Sequence, residues 1–172
     1  IYIKEMVLWD FDENKNYKLV GNYKVLNLKD AKIASDVLEN INVLIIKALH
    51  SIRNKEKLTP ELFLLLETPY FLQEMQIIKD QGSIKFEGLN KPKGVYISDK
   101  MNIGEDKNLR ASYRLIFLTL RDENGNIKKI KNLRNLIAHE LTHTALNHVR
   151  WREDDHDTKF NYYNKLILKH LK

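Results

Sequence analysis

The segment His139-Glu140-Leu141-Thr142-His143 combines two imidazoles and a carboxylate at the spacing HExxH. In an α-helix, residues four apart lie about 40° apart around the axis, so both imidazoles can converge on one Zn²⁺ ion. Glu140 lies on the flank of that face, near enough to hold a water molecule beside the metal. The pattern predicts a catalytic zinc site with His139 and His143 as ligands and Glu140 as general base.

The residues around this motif favour a helix from about residue 132 to residue 147. An apolar stripe at four-residue intervals runs through it: Leu133, Ile137, Leu141 and Ala145. Polar side chains within such a buried helix cost free energy unless they have partners, and a metal ion is one such partner. The alternative is a pair of hydrogen-bonded core histidines with Glu140 on the surface.

A catalytic zinc ion needs a third protein ligand, and His148 is the first candidate after the motif. It follows His143 by five residues. If the helix continues, His148 points about 180° away from His139 and cannot reach the same ion. We therefore expect His148 to face solvent near the helix C-terminus, where the helix dipole favours a cation.

His156 is the second candidate for the third ligand. It follows a charged stretch over residues 150–155, and a returning loop can bring it back over the motif helix. Acidic alternatives lie in the same stretch: Glu153, Asp154 and Asp155. Asp157 is either the N-cap of the next helix or a hydrogen-bond partner that orients a ligand.

The composition limits the chemistry of the site. The chain has 172 residues, six His and no Cys, which excludes disulfides, Fe–S clusters and thiolate zinc cages. Apolar residues make up 43% and charged residues 30%, so the chain can bury a core and is not globally disordered. This length predicts a single domain over residues 1–172.

The chemistry-bearing segment must be positioned by helices and strands, and the sequence pattern suggests where these lie. We expect strands over residues 4–10 and 17–27 as a hairpin, a helix over 29–53, and a helix that starts at Thr59-Pro60-Glu61 and ends before Pro69. Residues 70–80 are ambiguous between helix and strand.

In the second half of the chain, strands are expected over 83–88 and 93–98, around a turn at 88–92. Ser112–Arg121 is predicted as an inner strand that Asn124-Gly125 closes with a turn, and a last helix covers Asp157–Leu171. The predicted fold is α+β: a single domain with a small, mainly antiparallel or mixed sheet packed on the HExxH helix, flanked by N- and C-terminal helices.

Four segments of the chain resemble the WLM domain, a group of zinc metallopeptidases related to the SprT and Spartan proteases. These are Leu118-Thr119-Leu120-Arg121, Ile137–His143, the element His156-Asp157-Thr158-Lys159-Phe160, and Gly88-Leu89-Asn90 with Gly94. The likeness covers roughly residues 60–170. The spacer between the second and third His is longer than is usual in that family and closer to the Spartan-like length.

The resemblance implies a zincin-like fold with His139, His143 and His156 as zinc ligands and Glu140 as catalytic base. It also implies a metalloendopeptidase that acts on proteins associated with or crosslinked to DNA. An extended substrate would pair with an exposed strand edge, either 112–121 or 93–98. Candidates for an oxyanion stabiliser besides zinc are Arg150, Tyr162 and Tyr163.

The charge supports a second hypothesis, a basic nucleic-acid-binding domain with a structural or inactive zinc site. The net charge is +6, and the densest basic group is Lys128, Lys129, Lys131 and Arg134. Such residues would contact phosphates, although they are also typical of a solvated surface. With no membrane span or signal peptide visible, we expect no membrane partner and an intracellular location, cytoplasmic or nuclear. His50 and His170 are not expected to be ligands.

Overall fold

The computed structural model describes residues 16–80, 83–98, 108–150 and 155–172. The helices are α1 (Ala31–Lys55), α2 (Pro60–Glu67), α3 (Arg134–Ala145) and α4 (Thr158–His170), with a short 3-10 helix over Ile130–Asn132. The strands are β1 (Tyr17–Val20), β2 (Tyr23–Leu26), β3 (Tyr70–Glu74), β4 (Ile78–Asp80), β5 (Ser83–Phe86), β6 (Gly88–Lys93), β7 (Tyr96–Ile97), β8 (Leu109–Arg110) and β9 (Tyr113–Leu118). This part of the chain therefore has a mixed α+β fold, as predicted.

Five strands form a mixed sheet in the order β1-β2-β3-β9-β6. The β1–β2 and β6–β9 pairs are antiparallel, whereas β3 runs parallel to both β2 and β9. The strand predicted over 112–121 is confirmed as an inner strand, because β9 is paired on both sides. For the same reason it offers no free edge to a substrate, so that part of the docking expectation is wrong.

The structure differs from two predictions, the strand over residues 17–27 and the turn at 88–92. Residues 17–27 are not one strand but the hairpin of β1 and β2, which turns at Gly21 with φ +60°. The strand expected over residues 4–10 lies outside the described residues. The turn expected at 88–92 is strand β6, which pairs with β9 along its whole length and places Pro92 opposite Arg114. A proline is tolerated there because β6 is the last strand of the sheet within the described residues.

The structure also assigns the segment 70–80, which the sequence left ambiguous, and the remaining short strands. Residues 70–80 contain strands β3 and β4 rather than a helix. β4 pairs with β5, and β7 pairs with β8, in two small ladders apart from the main sheet. The turn at Asn124-Gly125 is confirmed, since Asp122 N donates to Asn126 O and Gly125 has φ +83°.

The predicted helices are confirmed, and two of them begin at side-chain caps. Thr59 Oγ1 accepts from Leu62 N at the start of α2, and Asp157 Oδ1 accepts from Phe160 N at the start of α4. Capping of this kind satisfies backbone donors that have no partner within the helix. Not every apolar side chain of α1 is buried, since Ile33 is 56% exposed.

The main core lies between the sheet and the helices on one of its faces. It includes Leu38, Ile41 and Ile45 of α1, Ile116 and Leu118 of β9, Ile137 and Leu141 of α3, and Phe160 and Ile167 of α4. The alternation along β9 explains this arrangement, because every second side chain of a strand points to the same face. α3 also packs against β6 and α4, and its position relative to the sheet is thereby set from two sides.

A buried ion pair joins the end of β3 to the segment after β9. Arg121 Nε donates to Glu74 Oε2 at 2.8 Å, and Arg121 Nη1 lies 2.8 Å from Asp30 Oδ2, just before α1. Glu74 also accepts from the backbone N–H of Leu26. Both oxygens of this buried carboxylate are thus paired, as a charge in the protein interior requires. No described helix is both long enough and apolar enough to cross a membrane.

Candidate metal centre

Three histidines meet at one point beside α3. His139 and His143 lie one turn apart on that helix, and His156 lies two residues before the first residue of α4. Their ligand nitrogens all lie within 4.8 Å of one another, and the Nε2 atoms of His139 and His156 are 3.1 Å apart. The structure thus brings together the three residues that the sequence nominated. Within the described residues, no acidic side chain belongs to this group.

The local environment keeps the three imidazoles neutral. Burial, with a smaller contribution from His156, lowers the pKa of His139 to about 4. Burial also holds the pKa of His143 well below its ordinary value, helped by the neighbouring histidines and by Arg114. For His156, burial lowers the pKa even though Asp157 acts in the opposite direction. A neutral imidazole has the free lone pair that a metal ion needs.

The phenyl ring of Phe160 lies to one side of the three imidazole rings and is about equally far from each of them. Its centroid is 4.9 Å from His139, 5.0 Å from His143 and 4.7 Å from His156, and the ring itself is buried. Phe160 belongs to the first turn of α4, so its packing brings α4 against α3 at the level of the histidines. Phe160 carried part of the family resemblance, but the sequence did not predict its contact with the three imidazoles.

Glu140 is buried, with 3% of its surface exposed. The alternative that placed it on the surface is therefore wrong. Its carboxylate lies against β6: a β-carbon on Gly88 would lie 2.8 Å from Glu140 Oε2. Glu140 directly follows His139 on α3, so its carboxylate on the β6 side and the imidazoles on the α4 side are carried by the same turn of that helix.

The side chain of Asn90 connects β6 to α3 below the site. Its Nδ2 donates to Glu140 O and to Thr144 Oγ1, both at 2.7 Å. Its Oδ1 accepts from Arg114 Nη1 at 3.2 Å. Gly88 and Asn90, which carried part of the family resemblance, thus both contact the helix that bears the HExxH motif. Their spacing of two places them on the same face of β6.

Arg114 is the largest side chain in the interior of this region, with 1% of its surface exposed. Burial lowers the pKa of its guanidinium to about 9. Besides Asn90, its Nη1 reaches the backbone oxygen of His148 at 2.8 Å. The sequence pattern gave no indication of this role, because Arg114 occupies a core-facing position in an otherwise apolar inner strand.

His148 is half-buried beside His143, so the expectation that it faces solvent is wrong. Its Nδ1 lies 2.8 Å from His143 Nδ1, and its Nε2 lies 3.9 Å from Asp155 Oδ1. The expectation assumed a helix that continues past residue 147. Instead α3 ends at Ala145, and Asn147 adopts a left-handed conformation with φ +59° that turns the chain back.

Among the described residues, neither the acidic residues considered as alternative ligands nor Tyr163 joins the group of three histidines. Asp157 caps α4, and Asp155 is a buried neighbour of His148, whereas Glu153 and Asp154 lie outside the described residues. The hydroxyl of Tyr163 is buried 2.9 Å from Thr59 Oγ1 and from Glu61 Oε2, so it serves the contact between α2 and α4.

The remaining candidate residues lie at or near the surface. Arg150 and Tyr162 are exposed. In the basic group ahead of α3, Lys129 and Lys131 are exposed, and Lys128 and Arg134 are partly buried. His50 is exposed on α1, and His170 Nδ1 bonds Ser51 Oγ at 2.7 Å, away from the candidate centre.

No protein-family model, curated protein or solved structure matches this chain.

Proposed function

We propose that this chain is a zinc-dependent metalloendopeptidase with a zincin-like fold of the WLM type. His139, His143 and His156 would hold the zinc ion, and Glu140 would act as catalytic base. The observation that carries the proposal is the meeting of these three neutral imidazoles at the helix that also bears the buried carboxylate of Glu140. Two of the ligands and the base come from one HExxH helix, the arrangement that this motif produces in zinc peptidases.

The donor set fits a zinc ion. Zinc–nitrogen bonds of about 2.0–2.1 Å in tetrahedral geometry place two ligand nitrogens about 3.3–3.4 Å apart. The Nε2 atoms of His139 and His156 are already 3.1 Å apart. Three protein ligands would leave a fourth position open, which is typical of catalytic rather than structural zinc sites. His156 is exposed, which agrees with a site that a substrate can reach.

The chemistry divides between the ion and the chain. A bound zinc ion supplies a Lewis acid that activates water and polarises the scissile carbonyl. Glu140 would accept the proton of the attacking water and deliver it to the leaving amine. The packing of Glu140 against Gly88 restricts where its carboxylate can lie, and Asn90 holds the backbone of the same residue. Both contacts would reduce the reorganisation that proton transfer needs.

An extended substrate would add to β6, the strand next to α3. Thr119 N donates to Glu87 O, which sets the alternation of the antiparallel ladder with β9. Residues 88, 90 and 92 then direct their backbone polar groups away from β9. Within the described residues, β6 pairs on one side only. Gly88 is partly exposed, whereas Asn90 and Pro92 are buried, so a peptide would pair with this edge at Gly88.

The decisive experiment compares the wild type with Glu140→Gln. We expect the variant to bind one zinc ion per chain, measured by elemental analysis, and to lose hydrolysis of an unstructured protein such as casein. Glu123→Gln, in the exposed turn after β9, is the matched control and should retain activity. Wild-type activity in Glu140→Gln would refute the assignment of the base.

A second pair of variants tests the ligands. His156→Ala should lose stoichiometric zinc, whereas His50→Ala, on the exposed face of α1, should retain it. Running the casein assay with and without double-stranded DNA tests the substrate class that the family resemblance suggests. Stimulation by DNA would link the basic segment before α3 to the activity, and equal rates would separate them.

A further inference from the structure

We propose that His148 is the positioning residue for the ligand His143, because it fixes which nitrogen of His143 is free to bind the metal. This inference rests on the proposed zinc site and adds a residue to it. It also assigns a function to the one histidine near the motif that is not among the three ligands.

The position of His148 follows from the way α3 ends. His148 N donates to His143 O at 3.1 Å, and Asn147 N donates to Thr144 O at 3.1 Å. Together with the positive φ of Asn147, these bonds form a Schellman motif at the helix C-terminus. The motif reverses the chain within one residue, and the imidazole of His148 is brought beside that of His143 rather than on the opposite side of the helix.

The contact between the two rings determines where their protons lie. Two Nδ1 atoms at 2.8 Å can form a hydrogen bond only if one carries the proton and the other offers a lone pair. A neutral His143 that binds metal through Nε2 has its proton on Nδ1. It therefore donates to His148 Nδ1, and the proton of His148 is placed on Nε2. That nitrogen faces the carboxylate of Asp155, with Oδ1 at 3.9 Å.

The surroundings of His148 keep it in this position. The buried Arg114 donates to its backbone oxygen at 2.8 Å, and the ring of Phe160 lies parallel to its imidazole, with an interplanar angle of 6°. Asp155 directly precedes His156. The series Asp155, His148 and His143 thus connects the segment that supplies the third ligand with the helix that supplies the first two. Such outer contacts orient ligand imidazoles in metal sites.

The test measures zinc affinity rather than peptidase activity. His148→Leu removes the acceptor at similar volume, whereas His148→Asn places an amide oxygen close to the position of the lost Nδ1. In competition with a chromogenic chelator, we expect His148→Leu to bind zinc about 10–100-fold more weakly and His148→Asn to stay within about threefold of the wild type. His50→Leu, exposed on α1, is the matched control and should not change the affinity.

A spectroscopic readout separates positioning from a general structural effect. In the metal-free protein with ¹⁵N-labelled histidine, two-bond ¹⁵N–¹H correlations should show the proton of His143 on Nδ1 in the wild type and in His148→Asn. In His148→Leu the same ring should populate both tautomers. Should His148→Leu not fold, His148→Asn still decides, because a loss of affinity beyond about tenfold in that variant would overturn the proposal.

The outcomes also distinguish this inference from the proposed function. Wild-type zinc affinity in His148→Leu, together with activity that depends on Glu140, would overturn the role of His148 alone. A wild-type chain that binds no zinc would overturn both.

Discussion

Gly88 and Glu140 lie so close together that residue 88 has no room for a side chain. A β-carbon there would lie 2.8 Å from Glu140 Oε2, 2.8 Å from Leu136 Cδ1 and 3.0 Å from the backbone oxygen of Phe117. The backbone oxygen cannot move without disturbing the β6–β9 ladder. The side chains of α3 would therefore have to shift, and the carboxylate proposed as catalytic base would shift with them.

Gly88→Ala should for this reason lower kcat more than it lowers zinc affinity. A displacement of a catalytic group by about 1 Å can cost on the order of 100-fold in rate. Steady-state hydrolysis of casein, with zinc content measured on the same sample, checks this prediction. Gly125→Ala is the control, because a β-carbon in that turn meets no other atom, although its positive φ costs some stability. Unchanged kcat in Gly88→Ala would show that Glu140 does not need its present position.

Asn90→Ala should destabilise the fold through the loss of the link between β6 and α3. Removing the amide leaves Glu140 O, Thr144 Oγ1 and Arg114 without these partners in a buried region. An unsatisfied buried polar group costs about 1–3 kcal/mol in the free energy of unfolding. Urea denaturation measures the effect, and Asn135→Ala, exposed on the same helix, is the control. Equal stability of the two variants would contradict the structural role of Asn90.

Phe160→Ala should weaken zinc binding and reduce stability together. The ring is the common packing surface of His139, His143 and His156, and truncating a buried Phe to Ala typically costs about 3–5 kcal/mol. Tyr162→Ala, two residues further along α4 at a position that is 60% exposed, should change neither property. Thermal unfolding with and without zinc gives both quantities. A normal zinc-dependent shift of Tm in Phe160→Ala would show that the rings hold their arrangement without it.

The Glu61 carboxylate should make stability depend on acid pH. Burial alone would raise the pKa of Glu61, yet hydrogen bonds from Lys159, its own backbone N–H and Tyr163 hold that pKa below its ordinary value. In the unfolded chain, by contrast, a Glu titrates near pH 4.3, at about its ordinary pKa. The folded state thus favours the charged form, so the stabilisation is complete above the unfolded pKa and is lost as pH falls through the folded pKa.

The matching measurement is the urea midpoint between pH 6 and pH 3 for the wild type and Glu61→Gln. The wild type should lose more stability over this interval, because only its carboxylate can be protonated. Glu123→Gln, in an exposed turn, should follow the wild type. If the urea midpoints of the wild type and Glu61→Gln fall in parallel with pH, the contacts of Glu61 with Lys159 and Tyr163 do not depend on its charge.

Local periodicity explains which parts of the site could be predicted. The spacing of His139 and His143 follows from the geometry of one helical turn, and the caps Thr59 and Asp157 act within three residues of their own position. Such signals are present in any short stretch of sequence. The approach of His156 depends on the chain between α3 and α4: the sequence offered His156 as one of several candidates there, and the family resemblance selected it.

The predictions that were wrong concern the end of a helix and the pairing of distant strands. The prediction that His148 faces solvent assumes a helix up to residue 147, although Asn is a residue that commonly ends helices in the left-handed conformation. The prediction of a turn at 88–92 rests on Gly88 and Pro92, because glycine and proline are frequent in turns. Pairing with β9 overrides that preference, and no local signal reports it. The contacts of Arg114 also have no local signal in the sequence, since its partners Asn90 and His148 lie 24 and 34 residues away.

The position of Pro92 has a consequence for self-association. An open strand edge is a template on which other copies of a chain can assemble. By the alternation of the β6–β9 ladder, residue 92 directs its backbone away from β9, and a proline there offers a carbonyl but no N–H. Of the residues whose backbone points away from β9, Gly88 is partly exposed and Asn90 is buried, so within the described part of the chain an added strand finds both groups accessible at Gly88. This edge can thus pair with a short peptide but not with a continuous intermolecular sheet.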